Sequence, residues 1–395
     1  MTNSSFNPKA ALYEAFPQMK ALSKQANATM EAAEDTLLQR ELDGLDTSWA
    51  RTILDEAEWR INCTSDYGAA ASAVERLKKA LECADPPGAR VQGPEGSFAP
   101  GTDVFFLKLD RSTDQLLARE WPWRMQPIFL DCIDDPVRMV TYLQDLCWSD
   151  VKRCGRDNRK ELNLAISVIA RLVERGGQAG FLSGPGFQPV FERFVRDWQD
   201  AKTGFFGVTY QLEGGQQIRT CDLSLTFHMG RYVPHLVRRW PALTESLLGM
   251  KDKPYPQGWL ENGKMTDHNN YDVVELFYRG WPRMRPDQRL RASQAVGEML
   301  KWSLAESISP EGEVLKPDKG DMAPDSYYFA AAFLDTIGFF DRSKRFWTGE
   351  SFPGAETIRT GMIRELGRFN PNLTMVNDTL ERLGAAARPF TNALL

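Results

Sequence analysis

The residue types best suited to chemistry in this 395-residue chain gather in three short polar runs. The densest is Thr266-Asp267-His268-Asn269-Asn270-Tyr271-Asp272-Val273-Val274-Glu275. The others are Asp222-Leu223-Ser224-Leu225-Thr226-Phe227-His228 and Asp325-Ser326-Tyr327-Tyr328. Carboxylates, imidazoles and phenols are the groups that move protons in catalysis. Two ways of cutting a sugar chain use them. Hydrolysis needs two carboxyl groups flanking the scissile bond, one of them held protonated. Asp222, Asp272, Glu275 and Asp325 are the candidates, with Asp222 and Asp272 expected as the acid/base pair. Asp272 and Glu275 share a helix face, so a pair drawn from different segments would flank a bond better.

β-Elimination at a uronic acid needs a base for a carbon acid, a proton donor for the leaving oxygen, and neutralisation of the carboxylate. His228 or His268, Tyr271, and Asn269 or Asn270 supply those types, with His268 expected as base and Tyr271 as acid. Arg231 and Arg279 carry charge that could meet a substrate acid. Phe206, Trp198, Trp259 and Trp281 are either sugar-stacking platforms or packing residues, and Tyr327 joins the substrate-binding set. His235, between Pro234 and Leu236, reads as structural. Helix capping offers a plainer account of three aspartates. Asp222, Asp267 and Asp325 each precede an apolar segment, where Asp accepts bonds from the first amides. Capping does not explain His268, Asn269, Asn270 and Tyr271 crowded behind one cap, because Asn and His are mediocre helix formers.

The elements that must position these residues read as helices. Ala10–Glu41, Ser48–Asn62 and Ala69–Cys83 have helical spacing, with Val74, Leu77 and Leu81 on one face of the last. Asp85–Thr102 is dense in proline and glycine and reads as a loop or linker. It suggests an N-terminal helical region over 1–95 and a main domain over 96–395. Pro127–Leu146 and Arg159–Arg175 are amphipathic. Alternating strand-like runs are scarce, and no GxGxxG or P-loop occurs, so nucleotide-fold readings fail.

In the C-terminal half a weak repeat appears. Its turns are Asp200–Gly207, Tyr255–Trp259, Ser309–Gly312 and, more faintly, Phe369–Asn372. They lie about 55 residues apart, enough for two helices and two connections per unit. One hairpin cannot bury its apolar face alone, but stacked or ring-closed hairpins can. The expected fold is therefore all-α, an α/α toroid of about six helical hairpins with an N-terminal helical extension. In such a ring the polar helix starts would converge at the mouth of a central cavity.

One motif carries a resemblance. Phe194-Val195-Arg196-Asp197-Trp198-Gln199, then Gly204 and Phe206, resembles the QW motif of squalene-cyclase-type toroids, with Phe206 in place of its final Trp. His268-Asn269-Asn270-Tyr271 is similar to the Asn-Asn-His-containing patterns of toroidal polysaccharide lyases. These resemblances imply a toroid, and a carbohydrate-active enzyme or a terpenoid cyclase or prenyltransferase. For the latter, aromatic residues would stabilise carbocations. Asp131-Cys132-Ile133-Asp134-Asp135 departs from the cyclase DxDD motif by one inserted residue, and no DDxxD motif is present. A non-enzymatic helical-repeat scaffold is the third class. A scaffold would spread its polarity evenly, whereas here it concentrates beside three successive turns.

The leading expectation is an enzyme, a glycoside hydrolase or polysaccharide lyase, acting on an oligosaccharide or small-molecule substrate. The net charge of −5 gives no general reason for a nucleic-acid partner. Arg153, Arg156, Arg159 and Lys160 are interleaved with Asp150, Asp157 and Glu161. Six cysteines without a CxxC and only three histidines argue against a zinc site, and no metal or organic cofactor is expected. No apolar run is long enough for a membrane span. Met1–Lys9 lacks a leader pattern, so free thiols in a reducing cytoplasm are expected. The oligomeric state is not set by any feature of the sequence.

Overall fold

The computed structural model describes residues 6–83, 92–99, 101–118, 125, 127–175, 180–315, 323–369 and 374–385. The chain is mostly helical. It forms two compact units: one of residues 1–37, 47–198 and 207–220, the other of residues 38–46, 199–206 and 221–395.

The first unit contains α1 (Pro8–Ala15), most of α2 (Pro17–Leu42), α3 (Ser48–Cys63), α4 (Tyr67–Glu82), α5 (Phe105–Arg111) and α6 (Thr113–Leu117). It continues through α7 (Pro136–Leu146), α8 (Val151–Cys154), α9 (Arg159–Arg175) and α10 (Phe187–Trp198). The single helix expected over Ala10–Glu41 is broken at Phe16, because Pro17 disfavours a helical residue before it and starts the next helix. The amphipathic stretch from Pro127 also divides. Asp135 accepts from the Val137 and Arg138 amides and Pro136 opens α7, after a short 3-10 turn at Ile128–Cys132. Met19, Ile53, Ala57, Ala70, Val74 and Leu77 form the core beneath α2, α3 and α4, with Leu81 partly buried against it. Helix α9 forms over the expected Arg159–Arg175.

A small sheet completes this unit and was not apparent from the sequence. Strand β1 (Trp148–Ser149) runs parallel to β2 (Thr209–Gln211), pairing Trp148 with Thr209. Strand β3 (Gln217–Arg219) returns antiparallel, pairing Ile218 with Tyr210. Strands of two or three residues are too short to display a period-two pattern. Of the proline- and glycine-rich stretch, residues 85–91 and 100 lie outside the described residues, and 92–99 belong to this unit.

The second unit holds α11 (Leu223–Tyr232), α12 (Trp240–Leu248), α13 (Asp267–Gly280), α14 (Pro286–Trp302), α15 (Ala323–Thr336), α16 (Ala355–Leu366) and α17 (Thr374–Arg382). Helices α11, α13, α15 and α17 pack side by side in that order. Helices α12 and α14 pack against α13, and α16 against α15 and α17. Helix α12 also packs against α14. Close approach among the side-by-side helices depends on small residues. A Cβ at Gly230 would meet Leu276 Cδ2 at 2.4 Å, so only glycine lets α11 lie this near α13. On α15, Ala330, Ala331 and Ala332 are fully buried. No described helix is long and apolar enough to cross a membrane.

Candidate functional site

All three polar runs fall in the second unit, at the starts of α11, α13 and α15. Asp222 caps α11, its Oδ1 accepting from the Leu225 amide at 3.0 Å. Thr266, not Asp267, caps α13, accepting from the Asn269 amide at 3.1 Å. The Asp267 carboxylate instead receives hydroxyls from Ser303, at 2.8 Å, and from Ser307. Asp325 is half-buried in the first turn of α15.

Helix α13 is enclosed by α11, α12, α14 and α15, and every residue from Asn269 to Phe277 is buried. Polar side chains there must be bonded internally or cost stability. The Asn269 side-chain amide donates to the Trp259 carbonyl at 3.0 Å, a structural role. Asn270 is 0% exposed, and neither its side-chain nitrogen nor its oxygen meets a partner among the described residues. Asp272 is 1% exposed, as is Asp222. Neither Asp272 oxygen meets hydrogen-bond geometry, although the Tyr255 hydroxyl is near enough to favour its charged form slightly. Burial dominates and pushes the Asp272 carboxyl well above the usual carboxylate range; Arg231 opposes this, while Asp222 and Glu275 reinforce it. The environment thus favours the protonated form of Asp272, with Asp222 adding to the effect.

An aromatic cluster surrounds this acid. Phe227 of α11, Tyr271 of α13 and Tyr328 of α15 meet edge to face, with centroid separations of 5.2 and 6.2 Å. They stand at the fifth, fifth and sixth positions of their helices, so the three helices start at the same end. His268 lies flat on Phe329 at 3.9 Å and tilts against Tyr255 at 6.1 Å. Burial pushes the His268 imidazole down to about 4. His228 stacks on Tyr232 at 5.7 Å and touches Phe227. Burial also holds the Tyr271 phenol well above its ordinary range, with Tyr328 adding to the effect. His228, Arg231, Tyr232, Tyr255, His268 and Phe329 are each partly exposed, whereas Asp222, Asn270 and Asp272 lie deeper. Partly exposed rings and the Arg231 guanidinium thus lie outside a buried group of Asp222, Asn270 and Asp272.

Of the residues expected from the sequence, Asp222, His228, Arg231, His268, Asn270, Tyr271 and Asp272 belong to this cluster. Phe206 and Trp259, 0% and 2% exposed, are packing residues with no open ring face; Trp259 sits edge-on to Phe277. Tyr327 turns the other way, toward Phe369, and its hydroxyl accepts from the Val314 amide at 3.3 Å. Arg279 is tied to Glu275 at 2.8 Å. Sequence reasoning placed Tyr328 in its third polar run without giving it a role, and did not assign Phe329, Tyr232, Tyr255 or Arg382 to the site. The first two follow Tyr327 directly, and roughly 100° of helical rotation per residue decides which of them faces α13. For Arg382 no signal existed.

The first unit has a cavity of about 300 Å³ lined by Tyr142, Trp148, Asp150, Arg156, Asn158 and Glu161, among others. Within it Glu161 receives Tyr142 and Arg156, and Asp150 caps α8 and pairs with Arg153. None of the residues expected to act from the sequence lines it. Among the described residues no group of three or more His, Cys, Asp or Glu is placed to hold a metal ion. Compared with known proteins, the chain matches no family model, no curated protein and no solved structure.

Proposed function

We propose that the second unit is a helical-hairpin ring of the α/α-toroid type, and that it cleaves a glycosidic bond by acid/base hydrolysis. The observation that carries this reading is the buried Asp272 carboxyl, which burial pushes well above the usual carboxylate range, with Asp222 near enough to add to the effect. A carboxylic acid kept protonated near neutral pH is the proton donor a leaving glycosidic oxygen requires. Asp222 is the second carboxyl group, supplied by a different helix and so able to act from another side. The Tyr271 phenol, held well above its ordinary range, stays protonated and can serve as a hydrogen-bond donor.

Elimination fits less well. A base for a carbon acid works best near its operating pH, and His268, held to about 4, is too weak. Carbocation chemistry fits less well too. The Tyr271 ring already has the Arg231 guanidinium at 5.3 Å and that of Arg382 at 5.9 Å, and two cations would repel a third.

Incubation with panels of neutral and uronate-containing oligosaccharides tests the reading. Hydrolysis yields new reducing ends without ultraviolet-absorbing unsaturated products. Asp272→Asn should lower turnover by about 10²–10⁴-fold while the protein stays folded. Undiminished turnover in that variant, or an unsaturated product, refutes the assignment.

A further inference from the structure

Arg231 carries a charge in the second unit that no ion pair among the described residues balances. A guanidinium offers five N–H donors and cannot shed its charge. Here one donor is used, on the Tyr328 hydroxyl at 2.8 Å. Among the described residues no carboxylate lies within ion-pair distance of it. Its remaining neighbours are ring faces: Phe227 at 5.6 Å, Tyr232 at 5.4 Å and Tyr271 at 5.3 Å. Cation–π attraction offsets only part of the cost of desolvating a charge. Arg382 approaches the same Tyr271 and Tyr328 rings, at 5.9 and 5.6 Å, but is drawn to Asp335 at 3.6 Å. Glu275 is occupied by Arg279. One positive charge is therefore left without an ion pair, with one donor engaged, at a partly exposed residue.

We propose that Arg231 is the anchor for a carboxylate on the substrate, so that the sugar cleaved or its immediate neighbour is a uronic acid. This rests on the glycosidase reading of the same site and deepens it by naming the substrate class. A planar guanidinium with free N–H groups matches a carboxylate in a two-point contact. The single uncommitted charge fits a monoanion better than phosphate, which carries nearly two charges at neutral pH. The rings of Tyr232 and Tyr271 hold the guanidinium in place before the ligand arrives, which limits the entropy lost on binding.

Calorimetric titration of the full chain with glucuronate and galacturonate, with glucose and galactose, and with inorganic phosphate tests the proposal. The uronates should bind at least about tenfold more tightly than the neutral sugars, the typical effect of a charge-assisted contact. Phosphate should bind no more tightly than the uronates. Arg231→Met should erase the preference and Arg231→Lys should reduce it, because lysine keeps the charge but loses the fork. Thermal melting reports whether each variant is folded; if the methionine variant is not, the lysine variant decides. Equal binding of acidic and neutral sugars, tighter binding of phosphate, or an undiminished preference in the folded variants overturns the proposal. Uronate binding that persists in Asp272→Asn, without cleavage of any oligosaccharide by the wild type, would sink the glycosidase reading and leave the carboxylate site standing. Cleavage of neutral oligosaccharides without a uronate preference would do the reverse.

Discussion

Replacing Asp272 by asparagine separates the chemistry of the site from its stability. Burial raises the carboxyl well above the usual range in the folded protein, whereas in the unfolded chain an aspartate ionises near about 3.9. A group raised in this way stabilises the fold fully below its unfolded value. That stability is lost as the pH climbs toward the folded value. Across this window the native state holds one proton that the unfolded state has released. Stability then falls by about 1.4 kcal/mol per pH unit through this group alone. Asparagine is nearly isosteric and cannot ionise, so the variant lacks this slope. Above about pH 3.9 it should gain on the wild type, and the gain should grow with pH until Asp272 ionises in the fold. Paired urea titrations at pH 5, 6 and 7, followed by circular dichroism, measure the difference. Contributions from other groups, His268 included, cancel in the subtraction. Parallel stability profiles for the two proteins would show that Asp272 is ionised in the fold, and the acid role would go with it. A gain in stability joined to a loss of turnover is the expected signature of a strained functional group.

His268 carries the opposite sign. Its folded value of about 4 lies below the ordinary histidine value, so the stability it confers is complete above about 6.5 and declines as the pH falls toward 4. Its half-buried ring moderates the effect to about 2 kcal/mol, and His268→Phe, which keeps the stack on Phe329, should remove the loss in paired denaturation at pH 4–6.5. Gly230→Ala should cost about 1–3 kcal/mol by overpacking, since the new methyl would meet Leu276 at 2.4 Å. Leu276→Ala in the same chain should recover part of that cost, and purely additive losses would show that the two helices do not meet as described.

The helical class was legible because it rests on local periodicity. Arg159–Arg175 repeats its apolar residues at helical spacing and buries that face. The same kind of local rule identified the Asp222 cap. It missed the break at Phe16, where the restriction imposed by Pro17 outweighed a helical composition. The short strands β1–β3 left no trace, because β1 pairs with a strand about 60 positions away and each strand shows at most three residues of pattern.

The candidate site divides along the same line. Its polar runs stood out by composition, since asparagine, histidine and tyrosine behind one cap are poor choices for a helix with no other duty. Composition could not say which side of each helix turns inward. Tyr327 and Tyr328 are neighbours in the chain, yet one packs on Phe369 and the other receives Arg231. Phe206 and Trp259 have the chemistry of sugar platforms and lie wholly in the core. The raised Asp272 carboxyl and the weakness of His268 as a base come from desolvation by the helices packed around α13, a property no single segment possesses. The order of residues thus determined which segments coil and where their polar groups cluster. Only the packing of α11 against α13 and α13 against α15 decided which groups lose water, and with it which can hold a proton or a charge.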